Sequence, residues 1–129
     1  FVKETEIILQ IRNNTTKASR KKIIEEWHRD VLKKIVPVVL AKWEKAIGVT
    51  TIEWRIQNMR TKWGTCNIRE RRIVLNLHLA KRSPDCLEFV IIHELIHLLE
   101  KSHGAKFKNL MDSYCPNWKM IRKSLSVNL

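Results

Sequence analysis

The chain has 129 residues, 44% of them hydrophobic, enough for one domain around one core. No apolar run approaches the length of a membrane span, so an integral helical membrane protein is excluded. The net charge of +12, from 25 Lys and Arg against 13 Asp and Glu, favours partners such as nucleotides or nucleic acid over basic ones.

Phe1 opens a stretch, FVKETEIILQIR, that reads like the middle of a longer protein. Residues 4–12 have the β-branched content of a strand, and 13–16 (NNTT) read as a turn or helix entry. Together, 1–16 are expected to be the remnant of a truncated amino-terminal part, with 1–129 forming a single domain. From Lys17 to Ile47, Ile24, Trp27, Val31, Ile35, Val39 and Trp43 recur near helical spacing. Pro37 lacks an N–H there, which predicts a kink or a junction between two helices, and Gly48 terminates the segment. Ile52, Trp54 and Ile56 then alternate with polar residues as in a half-buried strand. Further strands are predicted at Thr65–Ile68 and Ile73–Leu77, and an antiparallel sheet is expected.

Ser83-Pro84-Asp85 is a helix-entry signal, with Ser83 able to cap and Asp85 meeting the positive end of the dipole. That helix is predicted to run to about Lys101, followed by a helix over Ala105–Tyr114 and a short one in Trp118–Leu125. The fold class is α+β.

The chemistry lies in the buried helix. His93-Glu94-Leu95-Ile96-His97 places two imidazoles four residues apart, on one helical face, where both can bind one ion. Glu94 lies about 100° round from His93. From there it can take a proton from a water that the metal activates, as general base. The helix is apolar nearly all round, and such a helix is buried. Three titratable groups on its one polar stripe need partners, and a metal would satisfy them together. A catalytic site needs a third ligand. His103, six residues past His97 and before Gly104, is the first candidate. Glu100 lies on the same face, better placed to orient a ligand histidine, and Asp112 is more remote. His28 and His78 fall outside the constellation. Cys66, Cys86 and Cys115 form no C-x-x-C pair, which points to reduced thiols in a cytoplasmic protein.

Met59-Arg60-Thr61-Lys62-Trp63-Gly64-Thr65-Cys66, Ile73-Val74-Leu75-Asn76, the His-Glu-x-x-His pentad, and His103 with Phe107 follow one another as in a known family. Over about residues 20–125 the chain resembles the YgjP-like metallopeptidase domain, related in motif to SprT-like zinc metalloproteases. The resemblance implies a zincin-like α+β fold and a zinc ion on His93, His97 and His103; it leaves the bond attacked open, with a peptide or protein substrate the first reading. A bacterial relative is also described as a nucleotide pyrophosphatase. Nucleoside triphosphate pyrophosphohydrolysis is therefore the alternative, and it predicts a basic pocket around the ion from residues such as Arg60, Lys62 or Lys106. A third possibility is a nucleic-acid-associated module with a structural metal. Under the peptidase reading Arg60 is the candidate to stabilise charge on the attacked oxygen. Gly64 is expected to serve a sharp turn or close packing, and Cys66 is a conceivable fourth ligand.

Overall fold

The structure is a computed structural model, which describes residues 17–126; the strand expected at 4–12 and the turn at 13–16 lie outside them. The first element is a helix of 31 residues, α1 (Lys17–Ile47). It continues through Pro37 without a break, so the expected helix junction is absent. Pro37 and Lys33, whose carbonyl loses its partner, both face solvent, where water can take the freed group. The fully buried stripe is His28, Leu32, Val36, Leu40 and Ile47, each early member one residue beyond the stripe read from the sequence. The two stripes adjoin in one wide apolar arc, and Ile35, Val39 and Trp43 pack at its flank. Trp43 Nε1 and Lys42 Nζ both donate to Glu88 Oε1, at 2.9 and 3.0 Å, tying this helix to the one that carries the pentad.

Gly48 ends α1 with φ +81°, a backbone region that costs glycine nothing. Its N–H and that of Val49 both reach Glu44 O, while the Glu44 carboxylate accepts from Thr51. Three strands follow: β1 (Glu53–Gln57), β2 (Gly64–Asn67) and β3 (Arg72–Asn76). Their order is β1-β3-β2, with β3 central. β2 pairs antiparallel with β3, but β1 pairs with it in parallel, Trp54 opposite Ile73 and Ile56 opposite Leu75. The sheet is therefore mixed, not antiparallel as expected. Alternation reports which face is buried and carries no information on strand direction. Ile52, expected on the buried face, precedes the strand and is 75% exposed.

Residues 58–63 carry the chain from β1 across to β2 on the far side of β3, and Asn76 holds this crossing. Its side chain, wholly buried, donates to Met59 O at 3.1 Å and Lys62 O at 2.7 Å. Its Oδ1 accepts from His78 N at 3.0 Å and starts the 3-10 helix Leu77–Lys81. The Asn76 N–H donates to Trp63 O. Every polar group of this buried amide thus has a partner, as burial requires.

The central helix, α2 (Pro84–Ile96), packs against α1, the sheet and both following helices. Pro84 takes its first turn; Ser83 stands at the cap, without the side-chain cap bond expected of it. The helix stops at Ile96 with His97 as cap, five residues short of the expected Lys101. Then α3 (Ala105–Tyr114) and α4 (Trp118–Ser126) close the core through Phe107, Met111, Trp118, Ile121 and Leu125. Trp63 Nε1 donates to Leu125 O at 3.2 Å, knitting the crossing to α4.

Candidate metal centre

Because α2 ends at His97, the chain can turn back on itself. Leu98, Leu99 and Glu100 donate to Leu95 O, Ile96 O and Ile96 O, closing the last turn. Residues 101–104 then form a bend that delivers His103 to the face where His93 and His97 stand. One nitrogen from each of the three rings lies within 4.8 Å of the others. Ring centroids are 4.9 Å apart for His93 and His97, 4.6 Å for His97 and His103, and 5.3 Å for His93 and His103.

The donors are oriented. His97 Nδ1 lies 3.2 Å from the Glu100 carbonyl, an acceptor, so Nδ1 carries the proton and Nε2 keeps its lone pair. His93 Nδ1 lies 2.9 Å from Glu94 Oε2, with the same consequence. Burial, then the neighbouring His97 and His93, push the His103 pKa below its ordinary value, while Glu94 pulls the other way. A depressed pKa keeps the ring neutral, the form that binds metal. Three imidazole nitrogens suit a borderline-soft divalent ion, and three protein donors leave a coordination position open. These residues therefore fit a catalytic metal.

The surroundings are built for it. Phe107, 3% exposed, sets its ring 4.7 to 5.0 Å from all three imidazoles and backs them on their apolar side. Phe89 packs on His93 from one turn earlier. Glu94 is 6% exposed. β2 runs against it: a Cβ on Gly64 would come 2.6 Å from Val90 Cγ1 and 3.3 Å from Glu94 Cγ. Gly64 thus serves close packing; an added methyl would press on the carboxylate's helix. Cys66, two residues on, has its thiol pushed up to about 11 by burial and by the Glu94 charge, against Arg71. Among the described residues, its sulfur is not one of the donor atoms that converge with the three histidines.

The residues expected from the sequence separate into two groups. His93, His97, His103 and Glu94 come together. Arg60 lines a different pocket, with Asn58, Met59, Trp63, His78, Lys81 and Arg82, which contains none of the three histidines. Glu100 orients His97, but through its backbone carbonyl; its carboxylate accepts from Ser102. Asp112 is engaged by Trp118 Nε1 at 2.7 Å. Phe107 and Asn76 had no role assigned from the sequence. For Phe107 the signal was its place four residues after His103. For Asn76 it was its place in the Ile73-Val74-Leu75-Asn76 motif, as a polar residue within an apolar strand.

Residues 2–128 match the YgjP-like metallopeptidase domain. The chain belongs to that family. Two solved structures share the fold of this YgjP-like domain. The metallopeptidase zymogen of Pyrococcus abyssi abylysin superposes with a TM-score of 0.67 at 19% identity, over 74% of this chain and 95% of its own. That of Methanocaldococcus jannaschii jannalysin gives 0.62 at 22% identity, over 70% and 92%. Comparison with curated protein sequences found no match. The YgjP-like domain is thus a metallopeptidase domain of α+β class that shares the fold of those two proteins, and no helix among the described residues is long and apolar enough to cross a membrane.

Proposed function

We propose that this metallopeptidase domain uses zinc, held by His93, His97 and His103, and cleaves peptide bonds with Glu94 as general base. The observation that carries the proposal is the convergence of three imidazole nitrogens within 4.8 Å beside a buried carboxylate. Bound zinc would supply Lewis acidity, polarising the scissile carbonyl and acidifying the attacking water. Glu94 Oε accepts the proton of that water and returns it to the departing amine. Phe107 and Phe89 pack on His93 and hold its ring in place.

The substrate is an extended peptide. β2 is an edge strand among the described residues, and Gly64 seats its start on the Glu94 helix. A peptide pairing with that edge would have its backbone carbonyls presented beside the histidines. The phosphoanhydride alternative requires cations around the metal ligands. Among the described residues, the cation-rich pocket of Arg60, Lys81 and Arg82 includes no ligand histidine. Arg60 makes no hydrogen bond or ion pair there, so its expected oxyanion role has no supporting contact. Cys66, Cys86 and Cys115 are all free thiols, which supports a reducing, cytoplasmic location.

The test is a parallel assay of the zinc-loaded protein on quenched-fluorescent peptides and on nucleoside triphosphates. Peptide cleavage abolished by a chelator and restored by zinc is expected. Pyrophosphate release without peptide cleavage would overturn the proposal.

A further inference from the structure

Two basic segments far apart in the chain meet in space. The start of α1 contributes Lys17, Arg20 and Lys21 to a cavity of about 460 Å³, whose far wall is Asn58, Leu77, His78 and Lys81. Asn58, His78 and Lys81 also line the cavity of about 450 Å³ that holds Arg60, Trp63 and Arg82. Shared walls make the two cavities adjoin. Six cations line them against one carboxylate, Glu25.

Several basic side chains outside the cavities are engaged by the protein itself. Arg55 and Arg72 pair with Glu53, Lys42 pairs with Glu88, and Arg71 donates to Thr50 O. Lys119 and Arg122 lie over Trp118. Lys17, Arg20, Lys21, Arg60 and Lys81 make no ion pair among the described residues; lysines such as Lys34 and Lys108 share that, but only these five also converge on the adjoining cavities. The local potential registers in the imidazoles. After burial, Lys81 and Lys21 help hold His78 below its ordinary pKa, and Lys81 and His78 do the same for His28, with Glu25 opposing in both. The lining also offers planar and apolar surface. Arg82 lies over the Trp63 ring at 5.2 Å, and His78, Met59, Ile24 and Leu77 complete the walls.

We propose that the adjoining cavities form one trough that holds a single strand of nucleic acid by its phosphates, with bases against the Trp63–Arg82 and His78 planes. The shape selects a single strand. Cavities of about 450 and 460 Å³ have room for bases and phosphates of one strand but not for the width of a duplex. A strand can lie in a positive channel with its bases on aromatic and guanidinium faces. An acidic peptide would satisfy the cations but bring no rings for those planes. The trough is independent of the hydrolytic reading. It does begin beside it, since Trp63 precedes the glycine packed on Glu94.

The experiment is fluorescence anisotropy of the full chain with a labelled oligothymidylate, in chelator, from about 50 mM salt upward. The expected result is binding whose salt dependence has a log–log slope of about −4 for six phosphate contacts. Lys17→Glu/Lys21→Glu/Lys81→Glu should weaken it at least about tenfold and flatten the slope by about 2. Lys108→Glu/Lys119→Glu/Lys123→Glu removes the same charge from α3 and α4 and should cost no more than about twofold. Circular dichroism checks folding, and the corresponding Gln triple, with a smaller loss, replaces the Glu triple should that fail to fold. Equal losses from the two Glu triples would show diffuse charge and overturn the trough. Competition by polyglutamate as strong as by unlabelled oligonucleotide, or tighter binding of duplex, would overturn the single-strand assignment. Absence of binding at the lowest salt would overturn both.

Discussion

At the scale of single residues, the centre depends on donors whose lone pairs are directed before any ion arrives. Removing one of three ligands leaves two, and two hold an ion far less well. His93→Ala and His97→Ala are therefore expected to purify with little zinc, measured by elemental analysis; full occupancy in both would refute the assignment. Glu94→Gln is nearly isosteric but cannot accept a proton. It should retain zinc while peptide hydrolysis falls by about 10²–10⁴-fold, the usual worth of a general base. Gly64→Ala tests the contact between strand and site. The new methyl would meet Val90, a β-branched side chain that is 2% exposed and has little freedom to yield. A loss of about 1–3 kcal/mol in urea denaturation is expected, with lowered activity, because the same methyl crowds Glu94.

At the scale of elements, the crossing between β1 and β2 is the least self-sufficient part of the fold. Residues 58–63 belong to no helix or strand, and the Asn76 amide satisfies two of their carbonyls. Asn76→Ala leaves those carbonyls and the His78 N–H without their partner, at about 1–3 kcal/mol for each group that stays buried. Lowered stability should come with faster amide exchange at Met59 and His78, while the distant α1–α2 contact through Glu88 keeps its protection. Uniform loss of protection across the chain would show instead that Asn76 serves general stability and not this crossing.

At the scale of the whole molecule, histidine burial sets a pH response. His28 is held below its ordinary 6.5 by burial and then by Lys81 and His78. His78 is lowered by burial and Lys81, and His103 by burial and the neighbouring His97 and His93. A group whose folded pKa lies below its unfolded value binds protons more readily when unfolded. Its stability is intact above the unfolded pKa and is lost as pH falls through the window between the two values. The chelated protein is expected to lose stability as pH drops below 6.5, and His28→Gln should flatten that slope. A chelated wild type equally stable on both sides of that pH would contradict it.

The sequence by itself determined whatever rests on local spacing. The i, i+4 histidines, the adjacent glutamate and the apolar girdle of α2 reside in one helical segment, so period alone brings them to one place. The ends of α3 and α4 and the left-handed turn at Gly48 were legible for the same reason. Tertiary structure decided what depends on contacts between distant segments. It made the β1–β3 pairing parallel, because pleat alternation is the same in either direction. It kept α1 whole through Pro37, because the freed carbonyl faces solvent. It chose which of two adjoining apolar stripes is buried most deeply. His103 came beside His93 and His97 only because α2 stops at Ile96 and Phe107 supports the returning bend. Arg60 parted from the histidines and joined Lys81 and the start of α1, because the crossing held by Asn76 carries it there. Charges scattered along the chain have no common address until the chain folds; their convergence is a property of the packing alone.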